Sequence, residues 1–387
     1  MSGPSAGRGP LTGLKVVEMA GLGPAPMCAM LLADLGATVI RVDRKQPVDL
    51  GLKRPRKFDL LLRNRDIVGV DLKKPGAVEL VLELVSGADV LIEGFRPGVM
   101  ERLGLGPDVC LARRPRLVYA RITGWGQDGP MAQAAGHDLN YVALTGLIQA
   151  LGRQGQPPTV PLSVIGDFGG GALYAALGVM AGVFEAGRSG QGQVVDAAMV
   201  DGVASLQTIF VGMHGAGMWN RERGTNPIDS GSHFYEVYET ADGRWVSVAA
   251  LEDRFYRRLL QILEIDPQDL GEQMDRRNWP RAKAILAARF RQRTREEWCA
   301  RLEGTDACFA PVLSWDEAPH HPHLKARGTY IDVDGVVQPA VAPRFSRTKP
   351  PAPTLPRDIT PDHTREALEK WFPAEQVQAW REAGVTE

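Results

Sequence analysis

Over the first 125 residues, short runs of aliphatic and β-branched residues alternate with segments of helical period. Leu-Lys-Val-Val-Glu-Met at 14–19 reads as a strand, the Gly/Pro-rich stretch 21–26 as the turn that leaves it, and 27–35 as a helix. The pattern returns as strands at 37–43, 67–72, 89–93 and 116–121, with a helix at 76–85. Strands separated by helices in this way predict βαβ units and a mostly parallel sheet covered by helices.

Beyond residue 136 the period becomes helical, most clearly at 139–151 and 169–186. A composition change at 215–231 then leads into a hairpin, 234–240 and 244–249, with Asp242-Gly243 as its turn. Helices at 253–263 and 279–301 follow, so hairpin and helices together predict a second, smaller domain. Six prolines in the eighteen residues 339–356 predict an extended strap, and 362–371 a final helix. The chain has no internal repeat.

Composition narrows the class. With 44% hydrophobic and 24% charged among 387 residues, this is a soluble globular chain long enough for two or three domains. Forty-five Lys and Arg against 46 Asp and Glu leave a net charge of −1, which argues against a protein that coats nucleic acid. Cys28, Cys110, Cys299 and Cys308 are far apart, form no CxxC pair and fit a reducing compartment better than a zinc or disulfide framework. The least charged run, 169–184, is shorter than the roughly 20 residues of a membrane span. The opening MSGPSAGRGP has no apolar signal core, and the closing GVTE is no targeting tail, so the expectation is a cytoplasmic protein without a membrane partner.

Four places offer chemistry. Gly21-Leu-Gly23-Pro-Ala-Pro26 sits where a dinucleotide fingerprint would sit, with Asp43 twenty residues beyond Gly23. Pro26 replaces the third glycine and removes an N–H that would cradle pyrophosphate, and Arg41 and Arg44 flank the would-be ribose acid, so an ordinary βα turn fits better than a nicotinamide site. His137 and Asp138 stand at a helix entrance, where they read either as helix-start residues or as a base with its neighbour. Asp167 precedes Gly169-Gly170-Gly171 and reads as an N-cap, unless those glycines let something approach the backbone, in which case helix-end N–H groups would hold an oxyanion. Glu252 lies where the second hairpin strand hands over to a helix. His137, Asp167 and Glu252 together supply two general bases and an orienting carboxylate, a set suited to proton transfer.

Longer motifs carry a resemblance. Leu35-Gly-Ala-Thr-Val-Ile-Arg-Val-Asp-Arg44, Arg96-Pro-Gly-Val-Met-Glu-Arg-Leu-Gly104, Tyr119-Ala-Arg-Ile-Thr-Gly-Trp-Gly126, Gly136-His-Asp-Leu-Asn-Tyr141, Gly166-Asp-Phe-Gly-Gly-Gly171, Gly190-Gln-Gly-Gln-Val-Val-Asp-Ala-Ala-Met199 and Thr305-Asp-Ala-Cys-Phe-Ala-Pro-Val-Leu313 occur in order over nearly the whole chain. By these the sequence resembles the α-methylacyl-CoA racemases, a branch of the family III CoA-transferase (CaiB/BaiF) superfamily. The GHDLNY motif and Glu252 separate that branch from the transferases.

The resemblance implies an α/β fold with a Rossmann-like large domain at 1–200, completed by 328–387, and a small α+β domain at 234–308, joined by linkers at 201–233 and 309–327. It implies an interlocked homodimer with active sites shared between subunits. His137 and Asp167 would be the two bases in racemisation of a 2-methylacyl-CoA thioester, with Glu252 from the other subunit polarising His137. CoA would lie near Arg44, Val70, Leu72, Lys73, Arg96 and Arg102, with Asp138 and Tyr141 also at the substrate. No metal and no cofactor beyond the CoA of the substrate is implied. Met199, Ile209 and Met213 would offer an apolar acyl surface, or belong to the core. Basic residues at 53–57 read as a solvated loop or as a further phosphate contact. The alternative on the same fold is a CoA transferase with Asp167 as nucleophile. Departures fall at Ser163-Val164, at Asp253-Arg254 after Glu252, and at Ser230 and His233, the last two putting a titratable side chain beside the expected acyl site.

Overall fold

The computed structural model describes residues 8–45 and 54–386. β1 (Lys15–Met19) is buried from Val16 onward, as a strand covered on both faces must be. α1 (Pro24–Asp34) follows, with prolines in its first turn where a helix needs no N–H partner. Next come β2 (Thr38–Asp43), β3 (Asp66–Gly69), α2 (Ala77–Ser86), β4 (Val90–Glu93), the short α3 (Val99–Arg102), α4 (Pro107–Arg113) and β5 (Val118–Thr123). After α5 (Asp138–Leu144) and α6 (Leu147–Ala150), a ten-residue π-helix, Val164–Leu173, runs directly into α7 (Tyr174–Ser189). β6 (Gln193–Ala198) and α8 (Met199–Leu206) complete this half of the chain.

The six strands form one parallel sheet in the order β3-β2-β1-β4-β5-β6. Alternate residues feed two cores. Val17, Ile40 and Leu91 pack on one face with Leu80 and Leu84, whereas Val16, Val39 and Ile92 pack on the other with Ala29, Leu32 and Val179. Strand order reverses between β1 and β4, and a doubly wound sheet opens a crevice at that point beyond its carboxyl ends.

Two compact units emerge. The first comprises residues up to Leu144, Pro161–Leu206 and everything from Gly328 onward, and the second comprises Thr145–Val160 and Gln207–Arg327. Within the second, α9 (Thr208–Gly215) precedes β7 (Tyr235–Glu239) and β8 (Trp245–Ala249), then α10 (Asp253–Leu263), α11 (Pro267–Leu270), α12 (Trp279–Phe290), α13 (Arg295–Leu302), β9 (Phe309–Val312) and α14 (Pro322–Arg327). β7, β8 and β9 form an antiparallel sheet over Phe234, Tyr238, Trp279, Phe290 and Trp298. The chain re-enters the first unit through the hairpin β10 (Tyr330–Val333) and β11 (Val336–Pro339), then α15 (Pro361–Glu369) and α16 (Ala374–Glu382), whose Leu368 and Val377 join the first core.

Several details depart from the sequence reading. Residues 145–160, expected in the large domain, fall in the second unit, and so do 207–233, expected as linker. The helix 279–301 is two helices: α12 ends at Phe290, and Thr294 starts α13 through a capping box with Glu297. The helix at 362–371 is not the last, since α16 follows it. β6 and β9 carry too little alternation to stand out. The run 169–184 lies within a continuous helix, Val164–Ser189, long and apolar enough by length and composition to cross a membrane. It packs on the sheet through Ala172, Ala175 and Val179, and leaves Leu173, Leu177 and Phe184 exposed.

Charge is buried beneath the crevice. Glu18 on β1 is inaccessible, and its two oxygens accept from Arg41 of β2 and from Arg65 just before β3. Arg41 also bonds Asp43 at 3.0 Å and the Gly21 carbonyl at 3.2 Å, while Arg65 donates to the Pro26 carbonyl at 2.9 Å. This cluster therefore ties three strands to the β1–α1 turn. Glu18→Gln leaves two buried guanidinium groups without their shared anion and is expected to cost about 3–5 kcal/mol. Urea unfolding followed by circular dichroism measures it, and an unchanged midpoint would show the cluster to be energetically neutral.

Candidate active site

A cleft of about 630 Å³ opens in the first unit, at the carboxyl ends of β1, β4 and β5. Its lining brings together the basic residues Arg41, Arg44 and Arg96 and the titratable His137, Tyr141 and Asp167. The loop that carries Arg96 is fixed from below by Glu93, whose carboxylate accepts from the Phe95 amide at 2.7 Å and from Arg121 at 2.9 Å. Arg121 in turn reaches Glu101 at 2.8 Å. Burial is the largest influence on Glu93 and holds its pKa above the ordinary value despite these donors.

Asp167 belongs to the π-helix and is not its cap. The expectation that it heads a helix with a free N–H fails, because its amide donates to Asp138 Oδ1 at 2.7 Å. That N–H is therefore engaged and is no oxyanion donor. The glycines after it have another purpose than ligand approach. Gly170 lets α8 cross closely, since a Cβ there would meet the Val203 amide nitrogen at 2.8 Å. Wide π-helical turns are rare and concentrate at functional positions, and here one turns Asp167 into the cleft.

The Asp167 carboxyl is half-buried and pushed up to about 6, first by desolvation, then by the nearby Asp138 carboxyl, with His137 acting in the opposite direction. A carboxyl titrating there is poised as a general base or acid near neutral pH. His137 precedes α5, whose first turn it starts: its carbonyl accepts from the Asn140 amide at 2.8 Å and its own amide donates to Asn140 Oδ1 at 3.0 Å. Tyr141 is wedged edge-on against Trp125, with ring centroids 4.7 Å apart, and donates to the Gly136 carbonyl. Burial first, and then Asp167, raise the Tyr141 hydroxyl above its usual range.

The remaining expected residues divide. Arg44, Arg96, Tyr141, His137 and Asp167 line the cleft together, and so does Met199. Asp138, expected at the substrate, is instead buried with its carboxylate turned to the Asp167 main chain. Val70 is buried at the end of β3, and Leu72 packs on the first core, so neither side chain faces the cleft. Lys73 and Arg102 are exposed outside the lining. Glu252 lies in the second unit as the N-cap of α10, with an exposed side chain. Ile209 and Met213 are on α9 of that unit, Ile209 exposed. His233, expected beside the acyl site, is inaccessible in the second core, with Nε2 2.6 Å from the Tyr256 hydroxyl and Nδ1 without a partner. Burial, then Lys283, lowers its pKa to about 4.

Asp43 lines the cleft with each carboxylate oxygen already accepting from an arginine. Its Oδ2 accepts from Arg41 at 3.0 Å and its Oδ1 from the Arg44 amide at 2.8 Å. Gly23 has a different role from the one its spacing suggested: at φ 64° it caps α1, and a Cβ on it would lie 2.8 Å from Asp167 Oδ2. Of the basic residues at 53–57, Lys53 lies outside the described residues, and Arg54 is paired with Asp59 at 2.5 Å. Arg41, Asn140 and Trp125 in the lining were not singled out as ligands from sequence. Arg41 is hidden in a buried strand, and its only signal was its place beside Asp43.

Comparison with known proteins gives the family of the chain. The model for CoA-transferase family III matches residues 11–359. The chain is 42% identical over 370 residues to the α-methylacyl-CoA racemase of Mus musculus and 41% identical over 372 residues to that of Homo sapiens, with 95% of each chain covered in both cases. A CaiB/BaiF family protein from Brucella suis has a solved structure that superposes with a TM-score of 0.80 at 26% identity, covering 94% of this chain and 99% of that one.

Two outcomes follow from the site. Gly23→Ala forces both a strained left-handed backbone and displacement of Asp167, and is expected to lower kcat by at least about tenfold with the fold retained, in a steady-state assay on a cleft substrate. Asp167→Asn removes a carboxyl whose folded pKa is raised. The native state holds that proton more tightly than the unfolded chain, so the wild type loses stability as pH rises from about 4 to about 6. The variant is therefore expected to melt higher than wild type at pH 8 and to lose that advantage at pH 4, by calorimetry.

Proposed function

The chain belongs to CoA-transferase family III, and from that premise we propose that it racemises 2-methylacyl-CoA thioesters at the carbon next to the thioester, by proton transfer between two bases. The observation that carries this reading is one cleft lined by an imidazole, His137, a carboxyl lifted to about 6, Asp167, and the arginines Arg41, Arg44 and Arg96.

In one direction the Asp167 carboxylate takes the α-proton, the electron pair moves into the thioester carbonyl as an enolate, and the His137 imidazolium returns a proton to the other face. In the reverse direction neutral His137 takes the proton and protonated Asp167 returns one. The pair thus shares one proton, and bases matched to the working pH each contribute on the order of 10²–10⁴-fold. The enolate oxygen draws on donors other than the occupied Asp167 amide. Arg44 and Arg96 hold CoA phosphates, for which guanidinium groups are well shaped, and Met199 gives the acyl chain an apolar contact. The two enantiomers are nearly isoenergetic, so no energy-carrying cofactor enters.

The reading includes a homodimer, in which Glu252 of the partner subunit polarises His137. It is supported by the exposed position of Glu252 and by the exposed Leu173, Leu177 and Phe184, which give a second copy an apolar surface to cover. Four free cysteines accord with a reducing cytoplasm.

Proton NMR of a pure (R)-2-methylacyl-CoA in D₂O, with no acceptor acid, tests the reaction. The expected result is loss of the α-proton signal with appearance of the (S) thioester. His137→Ala and Glu252→Gln should each slow exchange by at least about 10²-fold. Silence on several 2-methylacyl-CoAs, with CoA transfer once a free carboxylic acid is added, would make Asp167 a nucleophile and overturn the proposal.

A further inference from the structure

We propose that Asp138 is a positioning residue for the reaction: its buried carboxylate pins the main chain of Asp167 and places a second carboxyl group directly behind the catalytic one. This rests on the racemase reading for its consequence, but its geometry stands within the first unit alone.

Three observations support it. Asp138 is only 5% exposed, and its Oδ1 accepts the Asp167 amide across 2.7 Å, joining the first residue of α5 to the π-helix. The fit is tight, since a Cβ on Gly166 would lie 2.5 Å from that same oxygen, so glycine at 166 is what admits the carboxylate. The amide it holds belongs to the residue whose carboxyl lines the cleft, and as the fourth residue of the π-helix Asp167 has no acceptor five residues back within that helix. A buried N–H left without an acceptor is costly, and Asp138 provides the acceptor at the one position where the chain must turn a carboxyl toward substrate.

The electrostatic consequence follows from like charges. Two carboxyl groups this close raise the pKa of the one that protonates, and Asp138 is the second largest influence on Asp167, after desolvation. The other charged group acting on Asp167 is His137, which lowers it, while Tyr141 feels both Asp167 and Arg96. α1 meets the π-helix through Gly23 and Pro24, and α8 meets it through Met199 and Val203, none of which titrates. Asp138 thus has two separable effects, an acceptor that fixes where Asp167 sits and a charge that sets how basic it is.

Asp138→Asn separates them, because an amide oxygen still accepts the Asp167 N–H while the charge is gone. Asp138→Ala removes both. The measurements are the ¹³C carboxyl titration of Asp167, assigned by its absence in Asp167→Asn, and the pH profile of kcat/KM for α-proton exchange. In Asp138→Asn the Asp167 midpoint and the acidic limb of the profile should both move down by about half a unit to one unit, with kcat at pH 8 within roughly tenfold of wild type. Asp138→Ala should lose kcat by a further factor of about ten or more, as its orphaned amide lets the carboxyl shift. An Asp167 midpoint identical in Asp138→Asn and wild type overturns the electrostatic role, and equal kcat in Asp138→Asn and Asp138→Ala overturns the pinning. Failure of the racemase reading looks different: wild type would show no exchange while the Asp167 midpoint still moved in Asp138→Asn.

Discussion

A carboxylate taken out of water must be given donors or it gives up its charge, and the first unit is organised around that requirement. Glu18 has Arg41 and Arg65; Asp34 has Arg63 at 3.0 Å and Asn64 at 2.7 Å; Glu93 has Arg121 and the Phe95 amide; Asp138 has the Asp167 amide. These contacts join β1 to β2, α1 to the loop before β3, β4 to β5, and α5 to the π-helix. They also fix the loops at the carboxyl ends of the strands, where the cleft opens. Asp167 is the exception. Its carboxyl is half-buried and raised by burial, and among the described residues no hydrogen bond offsets that cost. The uncompensated group is the one in the cleft, and for a group that must exchange a proton, compensation would be a disadvantage.

The chemistry depends on helix geometry as much as on charge. The π-helix lies between α1, α5 and α8, and its glycines make room for those neighbours rather than for a ligand. Gly23 clears the space in front of Asp167 Oδ2, and Asp138 occupies the space behind its amide. The carboxyl is therefore held from two sides by groups that never need to touch substrate.

Much of this was legible in the chain. Alternation of apolar runs marked five of the six parallel strands and the β7–β8 hairpin, because buried strands and Asp-Gly turns leave strong local signatures. β6 was missed as a strand because its outer residues Gln193, Val194 and Asp196 are exposed or half-buried, which weakens the apolar pattern. The residues His137, Asp167, Arg44, Arg96 and Tyr141 were found, and the structure brings them to one cleft. What sequence could not give was orientation. Nothing in Gly166-Asp167-Phe-Gly-Gly-Gly171 distinguishes an N-cap from the fourth residue of a π-helix, and nothing in His137-Asp138 shows that the acid turns inward. His233 shows the same limit, since a polar letter in a loop became a fully buried ring bonded to Tyr256.

The π-helix has an evolutionary consequence. A π-turn closes its hydrogen bonds over one residue more than an α-turn, so it is the form a helix takes when an inserted residue is absorbed rather than looped out. Removing one residue between Asp167 and Tyr174 would let the segment tighten toward α pitch, and because the larger turn per residue offsets the lost one, Asp167 would keep roughly its face while α7 kept its seat on the sheet. The aim of the carboxyl is thus buffered against a change of one residue, separately from the scaffold. A chain built on this frame can take up a residue there and leave both the base and the βαβ architecture in place.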